Sequence, residues 1–182
     1  SMYAHIVADI HSSYRYTKAS FNLFQKQSEK QELFPHIYIN NLNNLIITCT
    51  QLKKYNEIPN YLELLNTVRT NFKSNAELAK NSFHRYAFQL LHYIRHTTDQ
   101  DNKTIYTFLH DIINEIPKYE KQLSTLEKTD LFHQIIISFF YLGKYHQCLY
   151  WLNKLRNEEK LVIREELMVF TSLFFIIVHY EM

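Results

Sequence analysis

The chain has 182 residues, 46% of them hydrophobic and 21% charged, with a formal net charge of +2 at pH 7. That composition supports a full core and excludes wholesale disorder, while the near balance of charge lacks the basic stripe of a nucleic-acid binder. A single glycine, Gly143, beside three prolines excludes Gly-rich phosphate loops, dinucleotide fingerprints and nucleophile elbows, all of which need positive φ or close backbone approach.

Strand signals are nearly absent, with no Asn-Gly or Asp-Gly hairpin turn and no sustained alternation. Helical spacing dominates, so the chain reads as all-α. Ser1 ahead of Met2 reads as a remnant of expression, and no basic region followed by an apolar run marks a signal peptide. From Tyr3, apolar residues recur at offsets 0, 3, 4 and 7 as Ile6, Val7 and Ile10, a turn is expected at Tyr14 and Tyr16, and Ala19 and Leu23 follow on a second helix. Pro35 opens the next first helix. There Leu42, Leu45, Ile46 and Cys49 form the same stripe, Lys53 and Tyr55 hold the turn, and Ile58, Leu62 and Leu65 form the second stripe. Asn56 is placed to cap that second helix, with Pro59 in its first turn.

A third copy starts at Ala87 and continues through Leu90, Leu91 and Ile94. A polar turn over 99–102 separates it from Ile105, Leu109 and Ile112. Pro117 is expected to end that helix, and Lys118 to Lys128 reads as an extension. The fourth copy has Phe132, Ile135, Ile136 and Phe139 with Asp130 near its start, then Gly143 and Tyr145 at the turn, then Cys148, Leu152 and Leu155. A fifth start gives Phe170, Leu173, Phe174 and Ile177. Each unit reads as helix, short turn, helix, because offsets of 3, 4 and 7 fall on one face of a 3.6-residue helix.

The run Tyr141-Leu142-Gly143-Lys144-Tyr145-His146-Gln147-Cys148-Leu149, with Leu152 and Leu155 after it, resembles the turn glycine, aromatic and small residue of the tetratricopeptide repeat family. Leu52-Lys53-Lys54-Tyr55 and Ser13-Tyr14-Arg15-Tyr16-Thr17-Lys18-Ala19 are further copies. The copy starts lie 39, 45, 45 and 38 residues apart, against a family period of about 34. The resemblance implies a right-handed α-α superhelix, a solenoid of about four helix-turn-helix units plus a final helix. It would form a single domain over 1–182. The final apolar helix, 167–180, has no second helix to cover it. It suggests a fragment of a longer protein, or self-association through that helix.

Chemistry-bearing patterns are weak. His92 and His96 share a helix face, but Tyr93 stands where a zinc-protease motif needs Glu, so no metal site is expected. Cys148 and His146 point in different directions on one helix. Glu165 with Glu166, and Asp99 with Asp101, read as solvated ends. No cofactor and no catalytic residue is expected, and the chain reads as non-enzymatic. Cys49 and Cys148 read as buried reduced thiols, consistent with a cytoplasmic protein. The longest apolar run falls short of a membrane span.

In a right-handed solenoid the first helices line the concave groove. The groove candidates are Asn40, Asn43, Arg85, Phe88, His92, Arg95 and His133, with Arg85, His92 and Arg95 able to hold a carboxylate or phosphate on an extended peptide. The expected role is protein or peptide binding as a scaffold. A ligand-sensor domain, or more remotely a nucleic-acid-binding repeat, is the alternative.

Overall fold

The structure is a computed structural model that describes residues 9–71, 75–96, 102–157 and 165–182, with the side chains at 28, 94–96 and 165–168 outside the description. The described residues are helical and contain no strand. In chain order the helices are α1 (Ile10–Lys26), α2 (Ser28–Leu33), α3 (Pro35–Gln51), a 3-10 turn (Tyr55–Glu57), α4 (Ile58–Asn71), α5 (Ala76–His96), α6 (Asn102–Tyr119), α7 (Thr125–Tyr141), α8 (Tyr145–Arg156) and α9 (Glu165–Glu181). Two compact units form, Ser1–Tyr93 and Ile94–Met182.

In the first unit α1 packs on α3 and α3 on α4. Every stripe residue of the second copy, from Leu42 through Leu65, is buried. The ring of Phe21 on α1 meets Tyr38 at 6.2 Å, stacked, and Tyr61 edge-on at 5.5 Å, which locks α1 over the hairpin. In the second unit α7 packs on α8 and α8 on α9. Phe132, Ile135, Ile136, Phe139, Cys148, Leu152 and Leu155 are all buried, and Trp151 meets Phe132 edge-on at 5.0 Å. Truncating any one of the fully enclosed leucines removes packing worth about 2–5 kcal/mol. On α6 the described stripe Ile105, Leu109 and Ile112 is likewise buried.

The two hairpins turn in the same way. After α3, the Lys53 N–H donates to Thr50 C=O at 3.1 Å and the Lys54 N–H to Cys49 C=O at 2.8 Å. After α7, the Gly143 N–H donates to Phe140 C=O and the Lys144 N–H to Phe139 C=O, both at 2.9 Å. This pair of bonds is a Schellman closure, which requires a left-handed residue just past the helix. Lys53 has φ 57° and Gly143 φ 65°. The two positions aligned by the repeat are therefore, among the described residues, the two that take positive φ.

The first copy does not follow the pattern. Tyr14 and Tyr16, expected at a turn, lie inside the continuous helix α1, and Ala19 and Leu23 are exposed. The buried face of α1 is Ser13, Thr17, Phe21 and Phe24. Asp9 supplies the cap by accepting from the Ser12 N–H at 3.0 Å. The expected stripe at Tyr3, Ile6 and Val7 lies outside the described residues.

Boundaries elsewhere also move. Pro35 occupies the first turn of α3 as expected, but Asn56 sits in the 3-10 turn that leads into α4 rather than acting as its cap. Residues 99–101 of the expected polar turn lie outside the described residues, and Asn102 already begins α6. Pro117 lies within the last turn of α6, which runs on to Tyr119. Helix α7 starts well before Asp130, because Ser124 and Glu127 form a reciprocal capping box. The Ser124 N–H donates to Glu127 at 2.8 Å and the Glu127 N–H to Ser124 Oγ at 3.3 Å.

Candidate functional site

The expected groove residues divide by burial and by unit. Asn40 on α3 and Arg85 on α5 are exposed. Asn43 is buried, and its Oδ1 accepts from Gln89 Nε2 of α5 at 2.8 Å. Its amide oxygen is engaged in an internal hydrogen bond, and a buried polar group left without one costs more than the bond is worth. Phe88 stacks on His92 at 6.5 Å with an interplanar angle of 9°, and on its other side faces His84 at 6.3 Å. This ladder runs along α5 at four-residue spacing. Arg95 follows on the same helix, with its side chain outside the described residues. His133 belongs to the second unit and stands edge-on to Phe170 of α9 at 4.2 Å.

A polar cluster that sequence spacing did not reveal ties α1 to the α3–α4 hairpin. Tyr14 and Lys18 are one helical turn apart on α1, and Tyr61 lies one turn beyond Glu57. All three donors converge on the Glu57 carboxylate, with Tyr14 Oη at 2.9 Å, Tyr61 Oη at 2.9 Å and Lys18 Nζ at 3.0 Å. Lys18 also donates to the Tyr61 hydroxyl. Lys54 Nζ stands 3.7 Å from Glu57 and 4.0 Å above the Tyr14 ring. Burial works against the charged form of Glu57, but the hydrogen bonds from Lys18, Tyr14 and Tyr61 outweigh it and hold the carboxyl down to about 2. Burial and the bond to Glu57 push the Tyr14 hydroxyl up to about 12 and raise Tyr61 as well. These shifts move each group away from neutral titration. The cluster tethers α1 to the α3–α4 hairpin.

The cysteines show the same withdrawal from chemistry. Burial pushes the Cys148 thiol up to about 12. For Cys49, burial and the nearby Glu57 charge push it up to about 11. Both are fully enclosed, so neither is a ready nucleophile. Among the described residues no group of three His, Cys, Asp or Glu side chains can hold a metal ion, and no helix is long and apolar enough to cross a membrane.

An open cavity of about 430 Å³ in the second unit is lined by Asn102, Lys103, Tyr106, Leu142 and Lys144. Both lysines are exposed. Among the described residues the lining brings together two lysines, an amide, a tyrosine and a leucine. The two lysines can contact a small anion.

The larger surface feature is α9. Its inward side is held by Phe170 against His133 and by Phe174 against Phe140 at 4.8 Å. Thr171 and Val178 are buried on the same helix. On the opposite side Val169, Leu173, Ile176, Ile177 and Tyr180 are 58%, 55%, 65%, 42% and 88% exposed. At 3.6 residues per turn these five span an arc of about 100°. The expected inward stripe is thereby split: Phe170 and Phe174 face the hairpin, while Leu173 and Ile177 face away. A smaller exposed group, Leu33, Phe34 and Ile37, lies where α2 meets α3 and covers scarcely a turn.

From Val169 to Tyr180 α9 has no Asp, Glu, Lys or Arg. A helix apolar on all sides is ordinarily buried on all sides, and here one side is covered and the other is open. No family model matches this chain, nor does any curated protein or solved structure.

Proposed function

We propose that this chain is a non-enzymatic helical interaction module that binds protein through the outward face of α9. The observation that carries this reading is a five-residue apolar arc, free of fixed charge, on a helix whose other side is already packed. Contiguous apolar surface of this kind marks interaction sites in water-exposed proteins. The polar groups of the first unit support the non-enzymatic half of the reading. Glu57, Tyr14, Tyr61 and Lys18 satisfy one another, and Asn43 is closed by Gln89. The superhelical groove of the tetratricopeptide resemblance is a less direct fit, because its expected lining includes the enclosed Asn43.

The test is site-specific photo-crosslinking in the cells that express the protein. A benzophenone amino acid at Ile176 is expected to yield protein adducts at least several-fold more abundant than the same probe at Glu63, an exposed position on α4. Equal yields at the two positions would remove α9 as the docking face.

A further inference from the structure

The geometry points to a second copy of this chain as the occupant of the α9 face, paired antiparallel about a two-fold axis between Phe174 and Phe175. This rests on the preceding reading that α9 is a docking face, and it names the partner. Four of the exposed residues, Val169, Leu173, Ile176 and Tyr180, are spaced 4, 3 and 4 apart. That spacing is the one found along the seam of two helices packed knobs-into-holes, with Ile177 widening the face on one flank.

Self-complementarity follows from the order of side-chain sizes. With the axis between Phe174 and Phe175, Leu173 lies opposite the partner's Ile176 and Val169 opposite the partner's Tyr180. One register thus sets the smallest seam residue against the largest and the two middle residues against each other. The same register puts Ile177 across from the partner's Ser172, again large against small. A parallel pair would set Tyr180 on the partner's Tyr180 and Val169 on the partner's Val169, leaving a bulge at one end and a gap at the other.

Charge agrees with this assignment. The positions flanking the seam are Phe170, Ser172, Ile177 and His179. In helix pairs that choose a different partner, these flanks commonly carry Glu or Lys, which set partner and orientation. In a two-fold contact residue i meets residue j and j meets i, so in this register Phe170 lies across from the partner's His179 and Ile177 across from the partner's Ser172, and no Asp, Glu, Lys or Arg opposes the pairing. The five exposed side chains offer on the order of 500 Å² per copy, about 1,000 Å² in all, which places the contact at the lower edge of specific interfaces, among the weak and transient ones.

Sedimentation velocity of the whole chain from 1 to 200 µM, with paired-cysteine crosslinking, tests this. The wild type is expected to pass from monomer to dimer across that range. Ile176→Glu and Tyr180→Glu, each at an exposed site, are expected to stay monomeric with unchanged helical circular dichroism and melting temperature. The double variant Leu173→Cys with Ile176→Cys is expected to form a covalent dimer on mild oxidation at least ten-fold faster than Leu173→Cys alone. The enclosed Cys49 and Cys148 leave that signal clean. A wild type that remains monomeric at 200 µM, or a single Leu173→Cys that crosslinks as fast as the pair, overturns the antiparallel self-pairing. Photo-adducts at Ile176 that map to another protein rather than to α9 overturn the second-copy assignment and leave the docking face standing. Absence of any adduct overturns both.

Discussion

Replacing Glu57 with glutamine keeps the side chain's shape and removes its charge. In the native protein the carboxylate accepts from Tyr14, Tyr61 and Lys18 at 2.9, 2.9 and 3.0 Å. The amide oxygen of glutamine can keep one or two of those donors and turns an NH₂ toward the rest. Two routes give the magnitude. The carboxyl falls from its ordinary 4.5 to about 2, a shift worth at most roughly 3–4 kcal/mol. The side chain is 27% exposed, so solvent screening reduces this to roughly 1.5–2 kcal/mol. Independently, the loss of one charge-assisted hydrogen bond costs about 1.5–3 kcal/mol. Glu57→Gln is therefore expected to destabilise the first unit by about 2 kcal/mol at pH 7.

The pH dependence identifies the cause. The folded carboxyl lies below its unfolded value, so its stabilisation is fully present above about 4.5 and is lost as pH falls through about 2. At about pH 2 Glu57 is half protonated in the folded protein, and its protonated form resembles glutamine. The difference between wild type and variant should shrink to less than half between pH 5 and pH 2, while the other carboxylates, common to both proteins, cancel. Urea unfolding followed by far-ultraviolet circular dichroism, with hydrogen exchange of the α1 amides to locate the effect, reads this directly. A difference under about 0.3 kcal/mol at pH 7 would show that the cluster is solvated rather than bonded. A difference that persists unchanged at pH 2 would show that the loss is one of packing.

Lys53 takes positive φ without being glycine, so Lys53→Gly is expected to stabilise by about 1 kcal/mol. Gly143→Ala should cost a similar amount through the backbone alone, because a Cβ there meets nothing within 4 Å. Thermal melts read both, and a destabilising Lys53→Gly would refute the shared closure. Asn43→Ala leaves Gln89 unpaired in a buried site and is expected to cost about 1–3 kcal/mol, much of it recovered when Gln89→Leu is added. If the double variant is no more stable than the single, the two amides do not act as a pair.

The helical class and the two hairpins were legible because they rest on local periodicity. At the α3–α4 and α7–α8 turns the offset from stripe to turn is the same, so the repeat aligned Lys53 with Gly143 across chemically unlike residues. The backbone places both in the left-handed region. At α1 the same offsets misled. Tyr14, Tyr16 and Ala19 match the turn pattern as letters, but nothing among Tyr14 to Ala19 breaks a helix, and no glycine or proline stands there. The helix runs through, and its inward face is set by Phe21 and Phe24 against Tyr38. The Glu57 cluster could not be read at all, since its partners lie 43 and 39 residues apart in sequence and meet only once α1 folds over the hairpin.

The candidate site shows the limit more sharply. Periodicity states which residues share a face, and says which way that face points only when the rest of the helix is polar. In α3 and α7 the stripe points inward because another helix of the same unit lies there. In α9 the residues between the stripe positions, Thr171, Ser172, Phe175 and Ile176, carry no charge and two of them are as apolar as the stripe, so offsets 0, 3, 4 and 7 combine two directions. Phe170 and Phe174 turn toward His133 and Phe140, and Leu173 and Ile177 turn away. The 4-3-4 seam is written in the sequence, yet it becomes distinguishable from core only when α8 and α7 are seen to occupy the other side. For a helix of this composition, the covered half defines the open half, and the open half is where a partner is to be sought.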